Sequence, residues 1–200
     1  MIRIFPIFVA MLALLLSTSA FAGKCKFRED DNDMFSGSNT VRTKWNPIVT
    51  GWVGGGEETT GSSVSAISEG GKQYLGLRFD HHEKFKSEPS QEDHDKLLAV
   101  PAGSKLHITM ADGTIVELPA SRDADIESEI TLLEAHPLVS NRFSITSAVT
   151  LRYELVGDTA DALVAQSAAS VRVTNVSGDI DIAIHRSSVD DIKKSIECLQ

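Results

Sequence analysis

The sequence predicts an α+β domain that is mainly β: an antiparallel sheet of several hairpins, closed as a sandwich or half-barrel, with two short C-terminal helices. Three observations carry that expectation. Val171 and Val173 alternate with Arg172 and Thr174, and Ile180, Ile182 and Ile184 alternate with Asp181, Ala183 and His185 beyond a short Gly-containing turn. A second alternating pair, Leu106, Ile108 and Met110 followed by Val116 and Leu118, is joined through Ala111-Asp112-Gly113, and Asp-Gly between such runs is a strong hairpin signal. The longest alternation has Phe143, Ile145, Val149, Leu151, Tyr153 and Leu155 at odd positions with Ser144, Thr146, Thr150, Arg152 and Glu154 between them. A period of two gives a strand one buried and one wet face, so this run is expected inside the sheet, bent near Ser147 and Ala148.

In chain order, residues 1–22 combine Arg3, an apolar run and a small-x-small end at Ala20-Phe21-Ala22, the pattern of a secretory signal peptide. Lys24 before Cys25 disfavours a lipoprotein, and no membrane insertion is expected after cleavage, so residues 23–200 form one β-rich domain exported to the periplasm or beyond. The whole chain carries a formal charge of -9, and loss of Arg3 with the signal makes it -10. Such a balance argues against nucleic acid or anionic lipid as partner. A neutral or basic protein, or a small ligand, stays open.

Residues 26–38 are acidic and rich in turn formers, and their spacing departs from a calcium loop. Val41, Thr43 and Trp45 suggest a first strand ending at Pro47. The glycines at 54, 55 and 56 lack the Gly-Lys-Ser/Thr of a phosphate cradle and read as loop. Residues 64–69 and 74–80 form a further hairpin about Gly70-Gly71. Residues 81–96 read as a charged loop, and residues 122–133 as acidic and weakly helical. Asp158 starts one helix, which runs to Gln166. Ser188, three residues before Asp191, starts the last, with Val189, Ile192, Ile196 and Leu199 as its apolar stripe.

Cys25 and Cys198 are the two cysteines of an exported chain. At about 100° per residue Cys198 falls off that stripe, and an even count in an oxidising compartment predicts a Cys25–Cys198 disulfide.

Chemistry is sparser. Asp80, His81, His82, Asp93 and His94 bring imidazole and carboxylate together in a short stretch, the donor set of zinc, nickel or copper. The spacing lacks His-Glu-x-x-His, and His81 and His82 on an extended chain point opposite ways, so only one of them faces a given ion. No Gly-x-Ser-x-Gly is present, and bridged cysteines cannot act as nucleophiles. Asp179 and Asp181 alternate with isoleucines as on a wet sheet face. His107 and His185 come together only if their hairpins are adjacent. The leading expectation is a non-enzymatic exported domain that binds a protein or small ligand and needs no cofactor. The alternative is a metal-binding protein or metal-dependent hydrolase that uses a divalent ion at 80–95.

Gly103-Ser104-Lys105-Leu106, Asp112-Gly113-Thr114, Arg152-Tyr153-Glu154-Leu155, Val171-Arg172-Val173, Gly178-Asp179-Ile180-Asp181 and Glu197-Cys198-Leu199 follow in an order similar to small exported bacterial proteins with a β-rich domain and a C-terminal helix. The resemblance implies export and carries over no catalytic residue.

Overall fold

Glycine turns and alternating strands set the architecture. In the computed structural model the described residues are 25, 27–33, 38–49, 59–136 and 139–200. The signal-like segment and the Gly-rich run 51–56 lie outside them. The elements are β1 (Phe27–Asp33), β2 (Ser38–Thr43), β3 (Asn46–Val49), β4 (Thr59–Glu69), β5 (Lys72–Phe85), α1 (Gln91–Leu98), β6 (Lys105–Met110), β7 (Ile115–Pro119), β8 (Asp125–His136), β9 (Val139–Glu154), α2 (Thr159–Ala165), β10 (Ala168–Asn175), β11 (Gly178–Ala183) and α3 (Asp191–Glu197). Every strand pairing among them is antiparallel.

Two sheets result. The larger runs β1-β2-β4-β5-β9-β8, with β3 also paired to β4, and the smaller runs β11-β10-β6-β7. The β4–β5 turn needs φ values of 58° at Gly70 and 77° at Gly71, a region that side chains with a Cβ avoid. Cross-strand rows Ala66–Leu75–Tyr153, Val64–Leu77–Leu151 and Ser62–Phe79–Val149 line the inner face of the larger sheet. Their apolar members join Leu106, Ile108, Val171 and Val173 of the smaller sheet, and Leu163, Ile192 and Ile196 of the helices, in one buried cluster. Burying such side chains contributes about 1.5–3 kcal/mol each. On the opposite face Gly76 leaves room for Trp45, whose ring would lie 3.2 Å from an added Cβ.

The expected hairpins form, and β9 lies inside the larger sheet between β5 and β8, one strand from the edge. Its register with β5 continues without a shift through Ser147 and Ala148. Cys25 and Cys198 are bonded, with Cα atoms 5.6 Å apart across 173 residues. Ile192 and Ile196 face the core, as their stripe requires. The helix starts differ from the capping expected. Neither Asp158 nor Asp190 makes a side-chain cap bond; Thr159 Oγ1 donates to the Val156 carbonyl, and the Asp191 amide donates to that of Ser188.

Four stretches correct the sequence reading. The acidic segment 27–33 is an edge strand, held by its ladder to β2. Pro47 lies within β3 rather than after the strand, beside a register irregularity at an edge where a missing N–H is tolerated. Residues 125–136 are strand β8, not helix. The supposed loop 81–96 is the end of β5 followed by α1, because the β4 and β9 ladders continue past the core and carry β5 with them.

Candidate functional site

The inner face of β5 changes character after Phe79. Leu75, Leu77 and Phe79 are buried, and the next two residues on that face are His81 and Glu83. Register places His81 opposite Ser147 of β9, Ser147 opposite Ser128 of β8, and Glu83 opposite Ile145. Helix α1 lies against β8 and β9 at this level. Ser90 caps it by accepting from the Asp93 amide at 3.2 Å, and Glu92 and Asp93 in its first turn suit the positive end of the helix dipole. His94 and Leu98, one turn apart, are its buried residues.

These elements bring His81, Glu83 and His94 together, with one donor atom from each inside a 4.8 Å sphere of mutual distances. Glu83 Oε2 lies 3.7 Å from His81 Nε2 and 3.8 Å from His94 Nδ1. The two imidazole ring centroids stand 5.4 Å apart, and the Phe85 ring lies perpendicular to that of His94 with centroids 6.2 Å apart. His94 is only 6 % exposed, and its Nε2 has no partner among the described residues. Burial holds the His94 pKa below the usual imidazole value, the nearby His81 acts the same way, and Glu83 and Asp95 pull in the opposite direction. A neutral imidazole is the form that binds a metal.

The arrangement tests well against a tetrahedral ion. Metal bonds of about 2.1 Å place ligand atoms about 3.4 Å apart, so the two Glu83 contacts need to close by a few tenths of an ångström, and the two imidazole donors, within 4.8 Å of each other, by up to about 1.4 Å. Two imidazoles and one carboxylate also leave a fourth position open.

The five residues singled out in the sequence separate. His81 and His94 enter the cluster, whereas Asp80 and His82 lie on the other face of β5, and Asp93 is exposed on α1. Asp80 accepts from Arg78 Nε at 3.1 Å, His82 Nδ1 meets Thr146 Oγ1 at 3.1 Å, and Asp93 faces Lys96 at 3.6 Å. Glu83 is the member of the cluster that reading missed. The signal for it was present, because the alternation Leu75, Leu77, Phe79 extends directly to His81 and Glu83.

Other polar groups find local partners. His107 Nε2 lies 3.2 Å from Glu117, His185 Nδ1 meets Ser187 Oγ at 2.8 Å, and Arg172 grips Asp181 through two bonds of 2.6 and 2.9 Å. No helix among the described residues is long and apolar enough to cross a membrane. Comparison with known proteins returns no match, whether to a family model, a curated protein or a solved structure.

Proposed function

We propose that this is an exported, disulfide-closed β domain that binds one divalent transition-metal ion, zinc or copper, through His81, Glu83 and His94. The convergence of a buried imidazole, a second imidazole and a shared carboxylate at 3.7 and 3.8 Å is the observation that carries the reading. His94 supplies Nδ1 from the helix, and His81 and Glu83 supply Nε2 and Oε2 from alternate positions of one strand. The ion would tie α1 to β5 and act as a Lewis acid at its open position. Export to the periplasm or beyond is supported by the signal-like start and by a disulfide, which persists in oxidising compartments. Protein purified without a histidine tag and dialysed against zinc or copper should hold one ion per chain. His81→Ala and His94→Ala should abolish that binding, and His82→Ala should leave it intact. Metal-free wild type, or binding that survives both substitutions, would overturn the reading.

A second reading, recognition of a basic protein segment, is supported by β8. This long strand closes one edge of the larger sheet, and its outward Asp125, Glu127 and Glu129 are exposed with no cation paired to them among the described residues. Titration with a Lys-rich extended peptide tests it: binding should vanish in Glu127→Lys/Glu129→Lys, and equal binding by that variant would reject it.

A further inference from the structure

Helix α1 is fastened to the sheet along two neighbouring flanks. His94 and Leu98 form the buried flank. Gln91 and Asp95, also one turn apart, form the second, and both reach the same residue, Ser128 of β8. The Gln91 side-chain amide donates to the Ser128 carbonyl at 3.2 Å, and Ser128 Oγ donates to Asp95 Oδ1 at 2.5 Å. Ser128 Oγ also lies 2.7 Å from Ser147 Oγ, and Ser147 is fully buried on β9.

The direction of this chain follows from its end. A carboxylate only accepts, so the single Ser128 proton goes to Asp95, and Ser147 supplies the proton between the two hydroxyls. The chain runs Ser147 to Ser128 to Asp95. It begins at the register partner of His81 and ends on the residue next to His94, so it spans the sheet between the two imidazole positions without including either ring.

We infer that Ser128 and Asp95 are positioning residues of the metal site, fixing the height and rotation of α1 so that His94 Nδ1 meets Glu83 Oε2. This inference rests on the metal reading above. An eight-residue helix is too short to hold its own shape in water, so its placement comes from what it touches. Leu98 anchors one end in the core, and the Ser128 bonds anchor the other. Outer groups that orient metal ligands typically change metal affinity about 10- to 100-fold when removed.

The test uses the full mature chain with its disulfide and cobalt(II) as a spectroscopic probe. Wild type should bind one cobalt with the intense visible bands of a tetrahedral site. Ser128→Ala and Asp95→Ala should each weaken binding about 10- to 100-fold and alter those bands. Ser128→Thr restores the hydroxyl and Asp95→Asn restores an acceptor, so both should return affinity and spectrum toward wild type. A merely structural contribution would move thermal stability without this pattern of spectral loss and rescue. If wild type binds cobalt through His81 and His94 while Ser128→Ala matches it in affinity and spectrum, the positioning inference fails alone. It fails likewise if Ser128→Thr is as impaired as Ser128→Ala. If wild type binds no cobalt, or His94→Ala binds it equally well, the metal reading fails and the positioning inference falls with it.

Discussion

Strand β5 is one continuous ladder with two different halves. From Leu75 to Phe79 its inner face meets the smaller sheet and the helices, and every inward side chain is buried and apolar. From His81 to Phe85 the same face continues under α1, and its side chains are two potential ligands and a half-buried ring. Both halves pair with β9 in one unbroken register, so the hydrogen-bond ladder cannot account for the difference. What changes is the layer above. Where two sheets face each other, a polar side chain would be buried without a partner; where a short, partly wet helix is the cover, imidazole and carboxylate can be held close at modest cost. The sheet thus carries a rigid register out of its own core and into a site.

The largest expected effect lies in the apolar half. Leu151 is 1 % exposed between Leu77 and the core, and Leu151→Asp would leave an unpaired carboxylate there. That costs several kcal/mol against a typical total of about 5–15, so the variant should lack the cooperative urea transition of wild type. A transition at the wild-type midpoint would show that this half of the ladder does not depend on its core. Removing the covalent closure should come next. Cys198→Ser should lower stability by about 5 kcal/mol in the loop-entropy account while leaving the far-ultraviolet β signature in place. Mass spectrometry of non-reduced, alkylated protein gives the direct check, and two free thiols would contradict the pairing.

In the polar half the expected effects are smaller and depend on ligand and pH. His94→Phe should keep the metal-free protein folded, since the Nε2 it removes has no partner among the described residues, but should abolish any stabilisation by zinc. For wild type such stabilisation would be about 2.7 kcal/mol at a hundredfold excess over Kd. His94 also gives this half an acid limb. Its folded pKa is lowered, so below the unfolded value of about 6.5 the unfolded chain binds more protons, and stability falls as pH drops through that range. His94→Phe should flatten the slope between about pH 7 and 5; an unchanged slope would place the titration elsewhere.

The smallest effect tests the outer face beside the core. Glu69 is bonded to Arg152, which also stacks 3.6 Å from the Tyr74 ring centroid, and the Arg152 hydrogen bond holds the Glu69 pKa below the usual carboxylate value. Its stabilisation should be complete above about pH 5 and lost as pH falls through the lower folded value. Because Glu69 is 40 % exposed, Glu69→Gln should cost under about 1 kcal/mol, measured as a weaker acid dependence of the urea midpoint.

The contrast between the two halves also explains which parts of the fold the sequence displays. The Gly70-Gly71 and Asp112-Gly113 turns, the β10–β11 pair and the Cys25–Cys198 bond follow from local chemistry, and each stands out in the chain. The acidic β1 carries little apolar alternation, because an edge strand can be held by its neighbour's backbone. In β8, Ile126, Ile130 and Leu133 fit helical spacing, while Ile126, Ser128, Ile130 and Leu132 fit strand spacing. Only the β9 ladder decides between them. Helix α1 has two buried residues, too few for a visible stripe, although Ser90 three before Asp93 marks its start. In the site, His81 and His94 are legible by residue type. Glu83 is legible only once β5 is known to continue, and the part of Ser128 and Asp95 depends on strand order that no local pattern contains.

The bond between Cys25 and Cys198 closes a covalent loop across 173 residues, which takes in all of the described strands and helices. Tension applied at the termini passes through the sulfurs and leaves the sheets unloaded. A protease that cuts once between the two cysteines opens the loop but releases no fragment from it. A single cut in a surface loop would therefore leave one molecule of unchanged mass apart from one added water, which runs as one band without reductant and as two pieces with it.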